Sequence, residues 1–473
     1  MVHQQKYDFI ILGGGIGGLN IAYQLLKWNP KLLLLILEKE EHLGGRVFTF
    51  QNEFMNVEAG AGRFNSEHRF FISLLKDLDL YDSKTPLVSS AVYAKSDGSS
   101  RFYNSILDSP LLISEYEPES SIFSFDPFSF VPDFSKTIGM FWNLGLDIAM
   151  GNENLPNIGI LTRVIASSMF ESKERLIQMS FLKYAGTILS RSELAFLKDS
   201  FGYYSELVIM NAYDAIQLMR ILDPKNTFYG LKGGLSSVIS TLEKRILKYK
   251  GARILKGKEV SRIVYKEQLG GSEHEFEIHG DSFSYITSKT ICALPKQVLE
   301  RMTIFKPIRG LLAKIKCAPL CRIYSRFDVS DGVVWFKGLP KFSTNNYLRM
   351  VIPISEKTGV IMISYTDNIF ADFWNRLYKD KGIVAVNKEL IRLMKLSTCI
   401  DIPMPLETHV FYWKCGVGYW GVGADSLKIT EELIQPFSDK PLFICGEHYS
   451  NYGQQWMEGA LETGARVLDK VCL

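Results

Sequence analysis

The sequence predicts an α/β protein in which a Rossmann-like dinucleotide-binding domain is interleaved with a discontinuous α+β domain. Three observations predict it. The spacing Gly13-x-Gly15-x-x-Gly18 stands between the apolar run "YDFIIL" and the helically spaced Leu19, Ala22, Tyr23 and Leu26. A second apolar run, "KLLLLILEKE", ends at Glu38, 20 residues beyond Gly18. The C-terminal stretch "PLFICGEHYSNYGQQWMEGALETGARVLDKV" reads as a strand, a glycine, a loop and a helix starting near Met457.

The first strand and turn carry the most specific signal. In such a turn one glycine makes the bend, another lets a pyrophosphate approach the backbone, and a third lets the helix pack on the strand. Gly13, Gly15, Ile16, Gly17 and Gly18 supply the turn, and the helix N-terminus faces the phosphates. Glu38, followed by Lys39, ends the second strand where the fingerprint expects an acid to accept hydrogen bonds from a ribose 2′-hydroxyl. A 2′-phosphate would be repelled there, so FAD or NAD is implied.

Later segments return to this fold. "FYGLKGGLSSVISTLEKRI" places Gly233 and Gly234 before a helix with Leu235, Val238, Ile239, Leu242 and Ile246 on one face. "ARILKGKEVSRIVYKE" and "EFEIHGDSFSYITSKTICALP" alternate or run apolar as strands do. Between these segments lie blocks of another character. Residues 80–224 begin as an aromatic, serine- and proline-rich loop region and become helical from about Ser135. Residues 301–409 mix strands with a long amphipathic helix near "GIVAVNKELIRLMKL". The expected domains are therefore 1–79, 225–300 and 410–473 for the dinucleotide, and 80–224 with 301–409 for the substrate.

Composition narrows the function. At 473 residues the chain is long for one core, and its 47% hydrophobic and 22% charged content is globular. A net charge of +3 with no basic, aromatic-laced patch argues against nucleic acid as a partner. Seven cysteines without regular spacing read as thiols in a reducing compartment rather than a disulfide framework. Neither CxxC nor a Cys/His cluster at metal-ligand spacing occurs, so no metal site is expected. "MVHQQKYDF" has no apolar signal core, and "LLLLIL" and the stretch 138–150, interrupted by Asn143 and Asp147, fall short of a membrane span. Cys472 with only Leu473 after it makes no prenylation signal. A soluble cytoplasmic protein is the expectation.

These residues resemble the flavin-containing amine oxidase family, whose fold pairs an FAD-binding domain of the glutathione-reductase type with a discontinuous substrate domain. In "EKEEHLGGRVFTF" the resemblance implies that Glu38 holds the ribose while Gly44, Gly45 and Arg46 pass beside the pyrophosphate and flavin. Val260, in "GKEVSRI", is similar to the position whose backbone meets adenine. Gly446 and Glu447 resemble the pair near the ribityl chain, and Met457 the start of a helix facing the flavin pyrimidine. "VEAGAGRFNSEHRF", with Gly60, Ala61, Gly62, Arg63 and His68, resembles the "GAMRxPxxH" stretch of the L-amino-acid oxidase branch, whose arginine binds the substrate carboxylate. The match is partial: Gly62 replaces methionine and Asn65 replaces proline.

The resemblance also implies an aromatic pair over the flavin. Trp456 takes one position, and Trp420 the other, with Tyr419 as the neighbouring alternative. "CAPLCRIYSRF" departs from the family by placing Arg322 where a lysine contacts flavin N5 through a water. The implied activity is oxidation of the C–N bond of an amine or L-amino acid, by hydride transfer to non-covalent FAD, with reoxidation by oxygen or another acceptor. The alternatives are a related desaturase, isomerase or sugar-nucleotide mutase, and a non-catalytic FAD-binding protein. The paired aromatics favour the oxidase reading.

Overall fold

The first strand, β1 (Lys6–Leu12), is apolar and buried from Phe9 to Leu12 because it is flanked by parallel strands on both sides. A computed structural model describes residues 5–87, 92–98, 102–104, 160–221, 227–267 and 274–472. Chain direction reverses through Gly13, whose φ of 101° suits glycine, into helix α1 (Ile16–Trp28) and then β2 (Leu34–Leu37). β1 pairs in parallel with β2 on one side and with the strand Ser284–Cys292 on the other. Ala252–Leu255 extends the sheet beyond β2. The far edge of Ser284–Cys292 is shared by the antiparallel His274–His279 and the parallel Leu442–Ile444.

This sheet therefore gathers strands from three distant parts of the chain, as the sequence predicts. α1 packs with the helices Ser236–Ile246 and Met457–Val471, and Leu19, Ala22, Val238, Leu242 and Val467 share one core. Both helices match their predicted positions. Positive φ at Gly233 and Gly234 turns the chain into the first of them.

A second sheet runs in the order 407–420, 315–326, 360–367, 350–355, 342–344, 92–94 and 102–104. Its longest pairing joins Ile315–Arg326 to Glu407–Trp420. The helical stretch Asn368–Thr398 covers this sheet with Trp374, Leu390, Leu393 and Met394, and Gly382, at φ 73°, breaks it in the middle. A third core joins six short helices between Ile160 and Ile221 to Ala318 and Tyr419.

Two expectations are corrected. The strand beginning at Glu407 belongs to the second sheet through Trp420, so the last dinucleotide-domain segment begins after 420 rather than at 410. Cys317 and Cys415 form a disulfide, so the cysteines are not all thiols. Their 98-residue separation hid a pairing that only the adjacency of the two strands creates. The expected onset of helix near Ser135 lies outside the described residues, and the first described helix beyond it begins at Ile160. Among the described residues no helix is long and apolar enough to cross a membrane.

Candidate active site

The glycine turn leaves backbone where side chains would otherwise stand. A Cβ on Gly18 would meet the Gly13 carbonyl oxygen at 2.2 Å, so this glycine serves the close packing of helix on turn. A Cβ on Gly15 would meet no atom within 4 Å. Gly15 thus faces a cradle that a side chain would fill, although its φ of −73° suits any residue. Helix α1 starts there with no side-chain cap and no acid in its first turn, leaving its N–H groups available to an anion. Glu38 is buried at the end of β2, where Oε2 accepts from Gly14 N at 2.7 Å and Oε1 from Glu40 N at 2.9 Å. The carboxylate is thereby fixed toward the cradle with lone pairs to spare.

One cavity of about 1550 Å³ runs from this cradle to the second sheet. It exceeds the ~300–1,000 Å³ of a drug-sized pocket, as a dinucleotide plus a substrate requires. Every residue assigned above to cofactor binding lines it, as do Arg63, Arg322 and Trp456. At the end beside β2 are Glu38, Lys39 and Val260; Lys39 is exposed and pairs with Glu40 at 2.9 Å. Midway, Arg46 donates to the Gly416 carbonyl at 3.0 Å and pairs with the buried Glu447. Burial would raise the Glu447 carboxyl, but Arg46 and neighbouring groups outweigh it and hold it well below the carboxylate range. Gln455 N also donates to Glu447, at 2.8 Å.

The donor set fits FAD: a glycine cradle at a helix N-terminus, a fixed acid for ribose, and an arginine midway. Trp420 is the one assigned residue that does not line the cavity. Successive residues of a strand point to opposite faces, and here Tyr419 takes the cavity side. Trp420 packs into the core beside the first sheet and donates Nε1–H to the Ser450 carbonyl at 2.9 Å. Of the two neighbours offered for the second aromatic position, Tyr419 is the one that lines the cavity. Trp456 is half-buried, stacked on Phe228 with ring centres 6.0 Å apart, and edge-on to the buried His68 at 4.8 Å.

The far end is a chamber that brings two guanidinium groups together with two buried carboxyl groups. The Arg63 guanidinium lies 4.0 Å over the Phe228 ring and 5.8 Å from the centre of Trp456, with its Nη2 at 3.5 Å from the Tyr203 hydroxyl. No carboxylate of the described residues forms an ion pair with it, and Glu58, a sequence neighbour, instead accepts from Thr49 Oγ1 and Leu235 N. The buried Arg322 donates from Nη1 to the Glu58 carbonyl at 2.8 Å and from Nη2 to the Tyr365 hydroxyl at 3.4 Å.

Two buried acids complete the chamber, and sequence reasoning missed both. Glu206 is 4% exposed, and its Oε2 has no hydrogen-bond partner. Burial, then the nearby Asp367, pushes its carboxyl up to about 8, against the opposing pull of Arg63. Asp367 accepts from Tyr204 N at 3.2 Å and Ser205 N at 2.7 Å, yet burial still raises it. The available signal was a lone acid in the otherwise apolar "YYSELVIM". Sequence reasoning also missed a cluster beside the midway region, where Cys317, Cys415 and His448 present ligand-type atoms within 4.8 Å of one another. The expectation of no Cys/His cluster rested on linear spacing, which three separate segments evade.

The chain is 22% identical over 510 residues, 98% of its own length and 94% of the relative, to an uncharacterised protein of Acanthamoeba polyphaga mimivirus. A putrescine oxidase bound to putrescine superposes with a TM-score of 0.70 at 12% identity, covering 99% of both chains. Cyclohexylamine oxidase from Brevibacterium oxydans superposes at 0.66 and 15% identity, covering 99% of this chain and 100% of that one. At such identities the likeness is one of fold. The model of the flavin-containing amine oxidoreductases matches residues 16–472, and FAD is the cofactor this implies. With that match across nearly its whole length, the chain belongs to the flavin-containing amine oxidoreductase family.

Proposed function

We infer that the protein oxidises the C–N bond of an amine substrate that also carries a carboxylate, an amino acid being the simplest such molecule. The observation that carries this reading is the chamber, where Arg63 has no acidic partner among the described residues and faces the same cavity as Glu206. A guanidinium is the side chain suited to a planar carboxylate, and a carboxyl with an unpartnered oxygen suits an ammonium. Trp456 and Tyr419 supply flat walls that narrow the approach of the amine. Bound FAD supplies the acceptor for the hydride lost from the carbon bearing nitrogen. Arg322, fixed by Glu58 and Tyr365, provides a permanent positive charge to the same chamber. The cofactor is held without a covalent bond, because the cysteines among the cavity's described residues, Cys317 and Cys415, are joined to each other. Acid precipitation should therefore leave a colourless pellet, and a yellow one refutes that part.

The main test follows flavin absorbance anaerobically while amino acids, then simple amines and polyamines, are added. Bleaching by an amino acid supports the reading. In Arg63→Met, the concentration needed for bleaching by that amino acid should rise roughly 10- to 100-fold, the equivalent of one charge-assisted hydrogen bond. Bleaching by simple amines alone, or an unchanged response in Arg63→Met, refutes the role given to Arg63.

A further inference from the structure

The disulfide Cys317–Cys415 lies in the wall of the cavity that would hold the flavin, and both cysteines are only partly buried. It sits where the ladder between Ile315–Arg326 and Glu407–Trp420 is interrupted, beside the register shift between Ala318 and Leu320. The strands pair on both sides of that irregularity, so their alignment does not depend on the bond.

The surroundings of the two sulfurs are polar. His448 Nε2 lies 3.8 Å from Cys317 Sγ and 3.6 Å from Cys415 Sγ. Gln297 Nε2 is 3.1 Å from Cys317 Sγ. The His448 ring is oriented by a hydrogen bond from Lys296 N to Nδ1 at 3.2 Å, which leaves the proton of the neutral ring on Nε2. Arg46 stands 3.4 Å from the same Nε2, and donates to the carbonyl of Gly416, next to Cys415. Glu447 Oε1, 3.0 Å from Nε2, is the acid facing this group. N–H donors and a nearby guanidinium favour a sulfur that must leave as thiolate. The other cysteines differ in kind: Cys292, Cys321 and Cys445 are buried, and Cys399 and Cys472 are exposed.

We propose that Cys317–Cys415 is a redox-active disulfide, reduced from within the cavity by a small dithiol, with Gln297 Nε2–H donating to Cys317 as the departing sulfur. One thiolate of the dithiol attacks a protein sulfur, the S–S bond breaks, and the other protein sulfur leaves. The second thiol of the dithiol then displaces the first protein sulfur and closes its own disulfide. Two electrons pass from dithiol to protein, and the two protons of the dithiol end on Cys317 and Cys415. No other oxidant or reductant is needed. The reaction is independent of which amine the cavity takes.

The test uses the FAD-loaded protein, graded dithiothreitol and brief alkylation with iodoacetamide, with each cysteine quantified by peptide mass spectrometry. Cys317 and Cys415 should become alkylated together, at dithiothreitol concentrations that leave Cys292, Cys321 and Cys445 unmodified and the flavin and circular-dichroism spectra unchanged. Cys399 and Cys472, labelled without reductant, report the reagent. Gln297→Ala should slow the reduction roughly 10- to 100-fold, as expected for one hydrogen bond to a charged sulfur, and His448→Gln should slow it less. Should the histidine variant fail to fold, Gln297→Ala and the wild-type labelling pattern still decide. Labelling of the pair only together with the three buried thiols, as the protein unfolds, would make it a structural cross-link and overturn the proposal. So would isolation of the pair as thiols that added oxidised dithiothreitol fails to rejoin, or that a chelator must free from a metal held with His448.

Discussion

The dinucleotide cradle and the substrate chamber are two ends of one cavity, yet they are built by opposite means. The cradle is mostly backbone: glycines with no side chain to place, a helix N-terminus, and one acid whose two oxygens are tied to neighbouring N–H groups. The chamber is all side chain, with Arg63, Glu206, Arg322, Tyr365, Asp367 and Tyr419 arriving from distant segments. Backbone recognition suits a constant ligand such as a pyrophosphate, while side-chain recognition suits a group that varies between relatives.

The sharpest way to break this comparison is inside the cradle itself. Gly18→Ala puts a Cβ 2.2 Å from the Gly13 carbonyl, a backbone atom that cannot move aside cheaply. It should cost about 1–3 kcal/mol or more of stability in thermal unfolding, and release FAD as well. Gly15→Ala meets nothing in the protein within 4 Å. The apoprotein of that variant should melt as the wild type does while FAD binding weakens sharply, read by flavin fluorescence on titration. Equal loss of stability in both variants would mean that Gly15 serves packing and not the ligand.

That contrast also explains what the sequence disclosed. Glycine spacing and strand–helix alternation are local, so β1, α1, β2, Glu38 and the helix at Met457 were legible, and with them the cradle. A residue's face on a strand is fixed by register, and register between distant strands is not local. Hence Trp420 was read into the cavity when Tyr419 belongs there, the strand starting at Glu407 was given to the wrong domain, and Cys317 and Cys415 went unpaired. Glu206 stayed invisible because an acid in an apolar stretch signals only when its neighbours in space are known.

A second, smaller effect belongs to the chamber. The Glu206 carboxyl is raised to about 8 in the fold, above its ordinary value of 4.5. Its stabilising contribution is therefore fully present below about pH 4.5 and is lost as pH rises through about 8, since the buried charge is then forced. Glu206→Gln removes that loss. The melting temperatures of variant and wild type should diverge progressively in the variant's favour between about pH 4.5 and 8, by an amount on the order of a few kcal/mol in stability, and run parallel above that. A quaternary ammonium inhibitor, which carries no proton of its own, should bind the wild type more tightly as pH rises through 8 and the variant without that rise. A flat profile in the wild type would place the ionised Glu206 away from the ammonium.

The smallest expected effect concerns Arg322. It occupies the position where the resemblance puts a lysine, and its two nitrogens reach the Glu58 carbonyl and the Tyr365 hydroxyl while its guanidinium lies 4.5 Å from the Tyr365 ring centre. A lysine there would keep one of these contacts at most. It would also be able to lose its proton on burial, which an arginine does not do at any ordinary pH. On the reading proposed above, a fixed charge would serve the reductive half of turnover, where negative charge develops, and would offer no neutral amine to a proton-shuttling water if oxygen takes the electrons. Arg322→Lys should therefore leave substrate reduction within a few-fold of wild type and speed reoxidation by a comparable factor. Stopped-flow absorbance separates the halves, with anaerobic reduction followed by mixing with oxygenated buffer. If the variant reoxidises more slowly, or only reduction changes, the arginine serves substrate binding rather than the charge beside the cofactor, and the chamber's two cations act together on the carboxylate.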